Sequence, residues 1–268
     1  MDSNGSSVFS QSFFLSAGET NAEQEMSLPL LTSKIIDIAT AHANSLGIGN
    51  PSMESLGCGW VLSRIAIEVK RYPKVNETYT LSTWVEAFNR HFSIRNFKLS
   101  DTEGNALGYA TSVWMVLNMK TRENFGLSHL SLAPDMIDGS KCPITGISKH
   151  LSIIPENENT EGELPKGVIR ATSPAIDYKF KYCDLDFYRH VNTVRYVSML
   201  LNQYSLEEMD ATRVHRMELS FLRESHYGER VRLLRHDEGL HTSFALSDAG
   251  DGTALLFAVV EREPRNFS

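Results

Sequence analysis

From Trp60 to about Asn118, apolar and polar residues alternate in four successive runs. WVLSRIAIEVKRYP sets Val61, Ile65, Ile67 and Val69 between polar neighbours, and ETYTLSTWVEAF, FSIRNFKLSD and GYATSVWMVLN follow with turn signals between them. A period of two over such runs predicts strands paired as an antiparallel sheet. Ahead of them, in LTSKIIDIATAHANSLGIG, Ile35, Ile38, Ala39, His42 and Leu46 recur near helical spacing and Gly47 offers a stop, which predicts a helix over 31–46.

The second half follows the same plan. A helix opening near Asn192 precedes the strand-like runs RVHRMELSFLRES, ERVRLLRHDEG, TSFALSDAG and TALLFAVVERE. Arg64 precedes Glu77 by the interval that separates Arg216 from Glu229, FKLSD is answered by FALSD, and GNAL by GTAL, all in the same order. This is the signature of an internal duplication. In the second helix Val194, Tyr196, Val197, Met199, Leu200 and Leu201 are apolar on nearly all sides, as expected of a helix wrapped by a sheet. The predicted fold is therefore α+β, a tandem (double) hot-dog in which a long antiparallel sheet wraps a central helix twice. The expected divisions are 1–132, a linker at 133–167 containing PENENTEGELPKG, and 168–268.

The chain has 268 residues, 41% of them hydrophobic, enough for two cores. Its formal net charge of -7 argues against general nucleic-acid binding, which needs a Lys/Arg surplus on some face. With no membrane-spanning run and no leader-like start, a cytoplasmic location is expected. Cys58, Cys142 and Cys183 are widely spaced and odd in number, which fits reduced thiols rather than a disulfide framework or a zinc site. No P-loop, dinucleotide fingerprint or clustered ligand set is present, so neither cofactor nor metal is expected.

Candidate chemistry concentrates in KYCDLDFYRHVNTVRYVSMLL, residues 181–201, where Asp184, Asp186 and His190 stand at a strand-to-helix junction. The segment DLDFYRHVNTVRY resembles the Asp-x-Asn-x-His-Val-Asn segment of the acyl-acyl carrier protein thioesterases, and WVLSRIAIEVKRYP, TWVEA and ATSVWMVLNMKTR resemble that family's first domain in matching order. The resemblance covers most of the chain outside an N-terminal tail and the linker. It implies hydrolysis of fatty acyl-carrier protein to free fatty acid, with Asp186, His190 and Glu224 (in FLRESHYGE) as catalytic residues. Tyr188 stands where the family pattern has Asn, and Ser225 where many plant relatives have Cys, which argues against a cysteine nucleophile.

Such hydrolysis needs water, a base, and donors for the developing oxyanion, and a helix N-terminus supplies favourable dipoles. Glu224 or His190 is expected to activate water while Asp186 orients; attack by a carboxylate to give an acyl-enzyme is the alternative. The Tyr188 hydroxyl can donate like an amide, Asn192 is expected to cap the helix, Asp184 to shape a turn, and Cys183 to be buried. In register with the repeat, Glu224 faces Tyr72, and the loop before the first helix has no Asp…His pair, which leaves the first half to supply the acyl pocket. Lys70, Arg71 and Lys74, with Arg90, Arg95 and Lys98, are candidate contacts for an acidic carrier. Competing functions are acyl-coenzyme A hydrolysis and non-catalytic acyl binding if Tyr188 inactivates the site. A homodimer is compatible with the sequence, although two fused hot-dogs can already make the pairing that single ones make by dimerising.

Overall fold

The computed structural model describes residues 7–130, 132–145, 147, 151–157 and 164–265. The chain divides into two compact units, residues 1–145 and 146–268.

The first unit contains β1 (Val8–Phe14), α1 (Leu28–Ser45), α2 (Asn50–Ser55), β2 (Cys58–Val69), β3 (Thr78–Phe88), β4 (Phe92–Ser100) and β5 (Ala106–Asn118). Its strands hydrogen-bond in the order β1-β3-β4-β5-β2, and the pairs are antiparallel. Helix α1 starts three residues before the pattern suggests, because Ser27 caps it by accepting from the Leu30 N–H and Pro29 supplies a pre-set φ in the first turn. It buries Leu31, Ile35, Ile38, Ala39 and His42 at helical spacing. On the strands Leu81, Thr83 and Val85 of β3 and Arg95, Phe97 and Leu99 of β4 are buried at a spacing of two. Strand β1 lies in what the sequence presents as a tail; it pairs with β3 at the sheet edge, where half-exposed Phe9 and Phe13 give only a weak pattern.

The second unit contains β6 (Ser152–Ile154), β7 (Val168–Arg170), β8 (Ile176–Lys179), α3 (Thr193–Leu201), α4 (Leu206–Ala211), β9 (Thr212–Phe221), β10 (Arg230–Glu238), β11 (His241–Asp248) and β12 (Ala254–Pro264). The order β8-β10-β11-β12-β9 repeats that of the first unit, strand for strand. In α3 only Arg195 is exposed, so the helix is covered nearly all round. Strands β6 and β7 form a separate parallel pair. The segment before Thr145 packs on the first unit: Trp84 Nε1 donates to Ser140 O (2.7 Å) and the Asp138 N–H to Val85 O (3.0 Å). No helix among the described residues is long and apolar enough to cross a membrane.

Candidate active site

The junction between β8 and α3 is held by side chain to backbone bonds. Asp184 Oδ2 accepts from the Lys181 N–H (2.7 Å) and from the Tyr178 hydroxyl (2.9 Å), closing a short 3-10 turn over Tyr182–Asp184. Asp186 Oδ1 accepts from the N–H groups of Tyr188 (2.8 Å) and His190 (3.1 Å), while the Asp186 N–H donates to His190 O (2.8 Å). The loop closes through Arg189, whose φ of 66° lies in the left-handed region that costs a non-glycine residue energy. Asn192 then caps α3 by accepting from the Val194 N–H (3.0 Å). Asp186 thus grips the backbone that presents His190.

His190 meets the segment after β9. The Val191 N–H donates to Ser225 O (2.9 Å), and His190 bridges His226 in antiparallel fashion. This sets His190 Nδ1 3.6 Å from Glu224 Oε1, with side chains 20% and 26% exposed. The separation exceeds a direct hydrogen bond, as catalytic contacts commonly do before substrate tightens them. Beneath the pair Tyr196 is buried, and burial pushes its phenol up to about 12. The structure therefore brings Asp186, His190 and Glu224 to one junction. Tyr188 also lies there, 39% exposed, its ring centroid 3.9 Å from that of exposed Phe187.

Residues 6–128 match the model of the acyl-ACP thioesterase N-terminal domain, and residues 170–254 that of the acyl-ACP thioesterase C-terminal domain. The chain belongs to the acyl-ACP thioesterase family. It is 28% identical over 230 residues to a chloroplastic palmitoyl-acyl carrier protein thioesterase of Gossypium hirsutum, covering 81% of this chain and 52% of that protein. It is 23% identical over 237 residues to a chloroplastic oleoyl-acyl carrier protein thioesterase of Arabidopsis thaliana, covering 86% and 63%. The chain thus spans about half to two-thirds of the length of these relatives. Among solved structures, an acyl-ACP thioesterase from Bacteroides thetaiotaomicron superposes with a TM-score of 0.82 at 25% identity, covering 98% of this chain and 100% of that one. The 12:0-ACP thioesterase of Umbellularia californica has the same fold, with a TM-score of 0.77 at 21% identity over 97% and 98% of the two chains. These matches establish the double hot-dog of the acyl-ACP thioesterases here.

The first unit carries a copy of the acyl-ACP thioesterase loop. The Asn21 N–H donates to Glu25 O (2.8 Å), Asn21 Oδ1 accepts from the Glu25 N–H (2.9 Å), and Gln24 has φ 61°. The Met26 N–H donates to Pro73 O (2.8 Å), Glu25 bridges Lys74, and Ser27 caps the next helix. Asn21 thus matches Asp186, Glu25 matches His190, buried Tyr72 matches Glu224, and Lys74 matches His226. The copy has the geometry without the Asp, His and Glu side chains. Its loop lies at residues 20–27, where Asn21 keeps the turn with an amide oxygen.

Some expected residues sit elsewhere. Lys70 and Lys74 are exposed, but Arg71 is committed to Glu77, Nη1 to Oε2 at 2.8 Å. Arg95 is only 5% exposed and cannot meet a carrier, because its face of β4 is the one carrying Phe97 and Leu99 inward; its guanidinium donates to His42 Nδ1 (2.8 Å). Cys183 is exposed rather than buried, since strand alternation has already given way to the 3-10 turn there. Among the described residues no group of His, Cys, Asp and Glu is arranged to hold a metal ion. The residue that sequence reasoning missed is His226, visible only once the bridge to His190 is formed.

Proposed function

We propose that this chain hydrolyses the thioester of a fatty acyl-acyl carrier protein, releasing free fatty acid and ending chain growth, with Asp186, His190 and Glu224 as its working residues. The observation that carries the reading is the His190–Glu224 pair, 3.6 Å apart, presented by a loop that Asp186 holds at the N-terminus of α3. Glu224 faces Nδ1 and favours the proton there, leaving Nε2 as the base. Nε2 takes a proton as water oxygen attacks the thioester carbon. The tetrahedral intermediate then expels the thiolate, which recovers that proton from the imidazolium. Atoms balance as one water consumed, one acid and one thiol released. A cytoplasmic location is part of the same proposal, since three widely spaced cysteines fit a reducing compartment.

The first unit is proposed to take the acyl chain. A cavity of about 10 Å³ lies between α1 and its sheet, lined by Leu31, Ile35, Leu81, Phe97 and Leu99 among others. It holds roughly one water, so an acyl chain at this place needs the cavity to widen, offset by about 0.8 kcal/mol per buried CH₂. The deciding comparison is kcat/KM for one acyl group on carrier protein and on coenzyme A. The proposal expects the carrier substrate to be preferred by at least about tenfold. A reversed preference would make it an acyl-coenzyme A hydrolase, and tight acyl binding without thiol release from either would make it a binder.

Two further outcomes are expected. The Tyr188 ring is packed on Phe187, so Tyr188→Phe, which keeps that contact, should retain turnover within about threefold. A tenfold loss would give the hydroxyl a direct part. Lys70→Glu with Lys74→Glu should raise KM for the carrier substrate several-fold at low salt, and less at high salt, where the screening length falls below the roughly 8 Å of physiological ionic strength. An equal effect on a small neutral thioester would reject these lysines as the docking site.

A further inference from the structure

His190 has a second titratable neighbour besides Glu224. The His226 ring meets it edge to face, centroids 5.0 Å apart and planes at 89°, and the two backbones are bridged. His226 Nδ1 lies 3.2 Å from Glu229 Oε1, and its side chain is 52% exposed. Two carboxylate–imidazole pairs, Glu224–His190 and His226–Glu229, therefore stand ring to ring.

The loop geometry does not require this. In the first unit the same bridged positions hold Glu25 and Lys74, side chains of opposite charge, and the position of Glu229 is held by Glu77. There the two bridged groups attract. In the second unit they are two imidazoles, which repel when both are protonated.

We propose that His226 is a positioning residue that keeps His190 in its neutral, proton-accepting form by setting a second ionisable imidazole edge to face with its ring. The inference rests on the reading of His190 as the base. The other charged groups around the pair are accounted for as follows. Glu224 Oε1 lies 3.6 Å from His190 Nδ1, and Asp186 Oδ1 accepts from the His190 N–H. Glu229 holds His226, and Arg223 lies 3.8 Å from Glu229 Oε2 and 3.3 Å from Asp248 Oδ2. Lys179 of β8 runs along Gly228, and Tyr196 of α3 stays a neutral phenol. The carboxylates favour the imidazolium of His190. A protonated His226 opposes them.

The sign follows directly. Removing His226 takes away a neighbour that carries a positive charge whenever it is protonated and leaves Glu229 without that imidazole, and both changes favour protonated His190. The acid limb of the kcat–pH profile should therefore move to higher pH in His226→Gln. His226→Lys, which restores a permanent charge at the position where the first unit has Lys74, should move the limb the other way, below that of the native protein.

The test is the kcat–pH profile of native protein, His226→Gln and His226→Lys on one acyl-carrier substrate, with an NMR titration of the His190 imidazole in each. Opposite displacements in the two variants, matched by the His190 titration, are the expected result. A purely structural role for His226 would lower activity in both variants without moving either midpoint. Unmoved midpoints, or displacements of the same sign, would overturn the proposal. The NMR titration reads the coupling without turnover, so a failure of His190 as the base would show separately, as undiminished activity in His190→Ala.

Discussion

His190→Ala and Glu224→Gln are each expected to lower kcat on an acyl-carrier substrate by at least about 10²-fold while the thermal midpoint stays within a few degrees of the native one. The magnitude is the usual contribution of a positioned general base. Neither substitution empties a core: both side chains are a fifth to a quarter exposed. Partly exposed ion pairs contribute little to stability, so the cost should appear in the reaction and not in folding. Glu224→Gln can still accept a hydrogen bond through its amide oxygen, yet it loses the charge that favours the imidazolium formed during attack. A Glu224→Gln protein with near-native kcat would leave His190 without its partner and would reassign the base. A large fall in the thermal midpoint would show that the pair holds the junction together instead.

Asp186→Ala is expected to cost about as much, for a different reason. The carboxylate oxygen Oδ1 takes two backbone N–H groups of the loop that carries His190, and the loop also contains a left-handed Arg189. Removing the acceptor orphans both donors and lets the strained turn relax, moving His190 away from Glu224. A displacement of about 1 Å is enough to cost 10²-fold in a positioned site. The first unit supplies the control, because Asn21 holds the equivalent loop with an amide oxygen at 2.9 Å. Asp186→Asn should therefore recover most of the loss, to within about tenfold of native turnover. If Asn proves as damaging as Ala, the negative charge of Asp186 takes part in the chemistry itself.

Much of this arrangement is legible in the chain because a period of two is hard to hide. The long strands β2 to β5 and β9 to β11 show it, β12 is instead a continuous buried apolar run from Leu255 to Val260, and the duplicated FKLSD and FALSD fall on the matching strands β4 and β11. Edge strands β1 and β8 escape notice because edge positions bury less and need less alternation. Periodicity also leaves a strand's two faces unlabelled. Arg95 reads as a surface cation beside Lys98, and only the packing of α1 shows that its face is the inner one. At the site, motif order places Asp186 and His190 together, whereas the contact of Glu224 depends on pairing across the segment after β9. His226 follows from that same pairing. No local sequence signal marks it, since a histidine two residues after Glu224 acquires meaning only from the bridge to His190.

The central claim, that one His–Glu unit in the second hot-dog carries out the hydrolysis, is tested most directly by a double-mutant cycle. Single-turnover release of free fatty acid from an acyl-carrier protein is measured for the native chain, His190→Ala, Glu224→Gln and the double variant. Groups that act as one unit are strongly non-additive, so the double variant should be no more than about threefold slower than the worse single variant. Losses that multiply across the cycle, or single variants that release fatty acid at the native rate, would contradict the account.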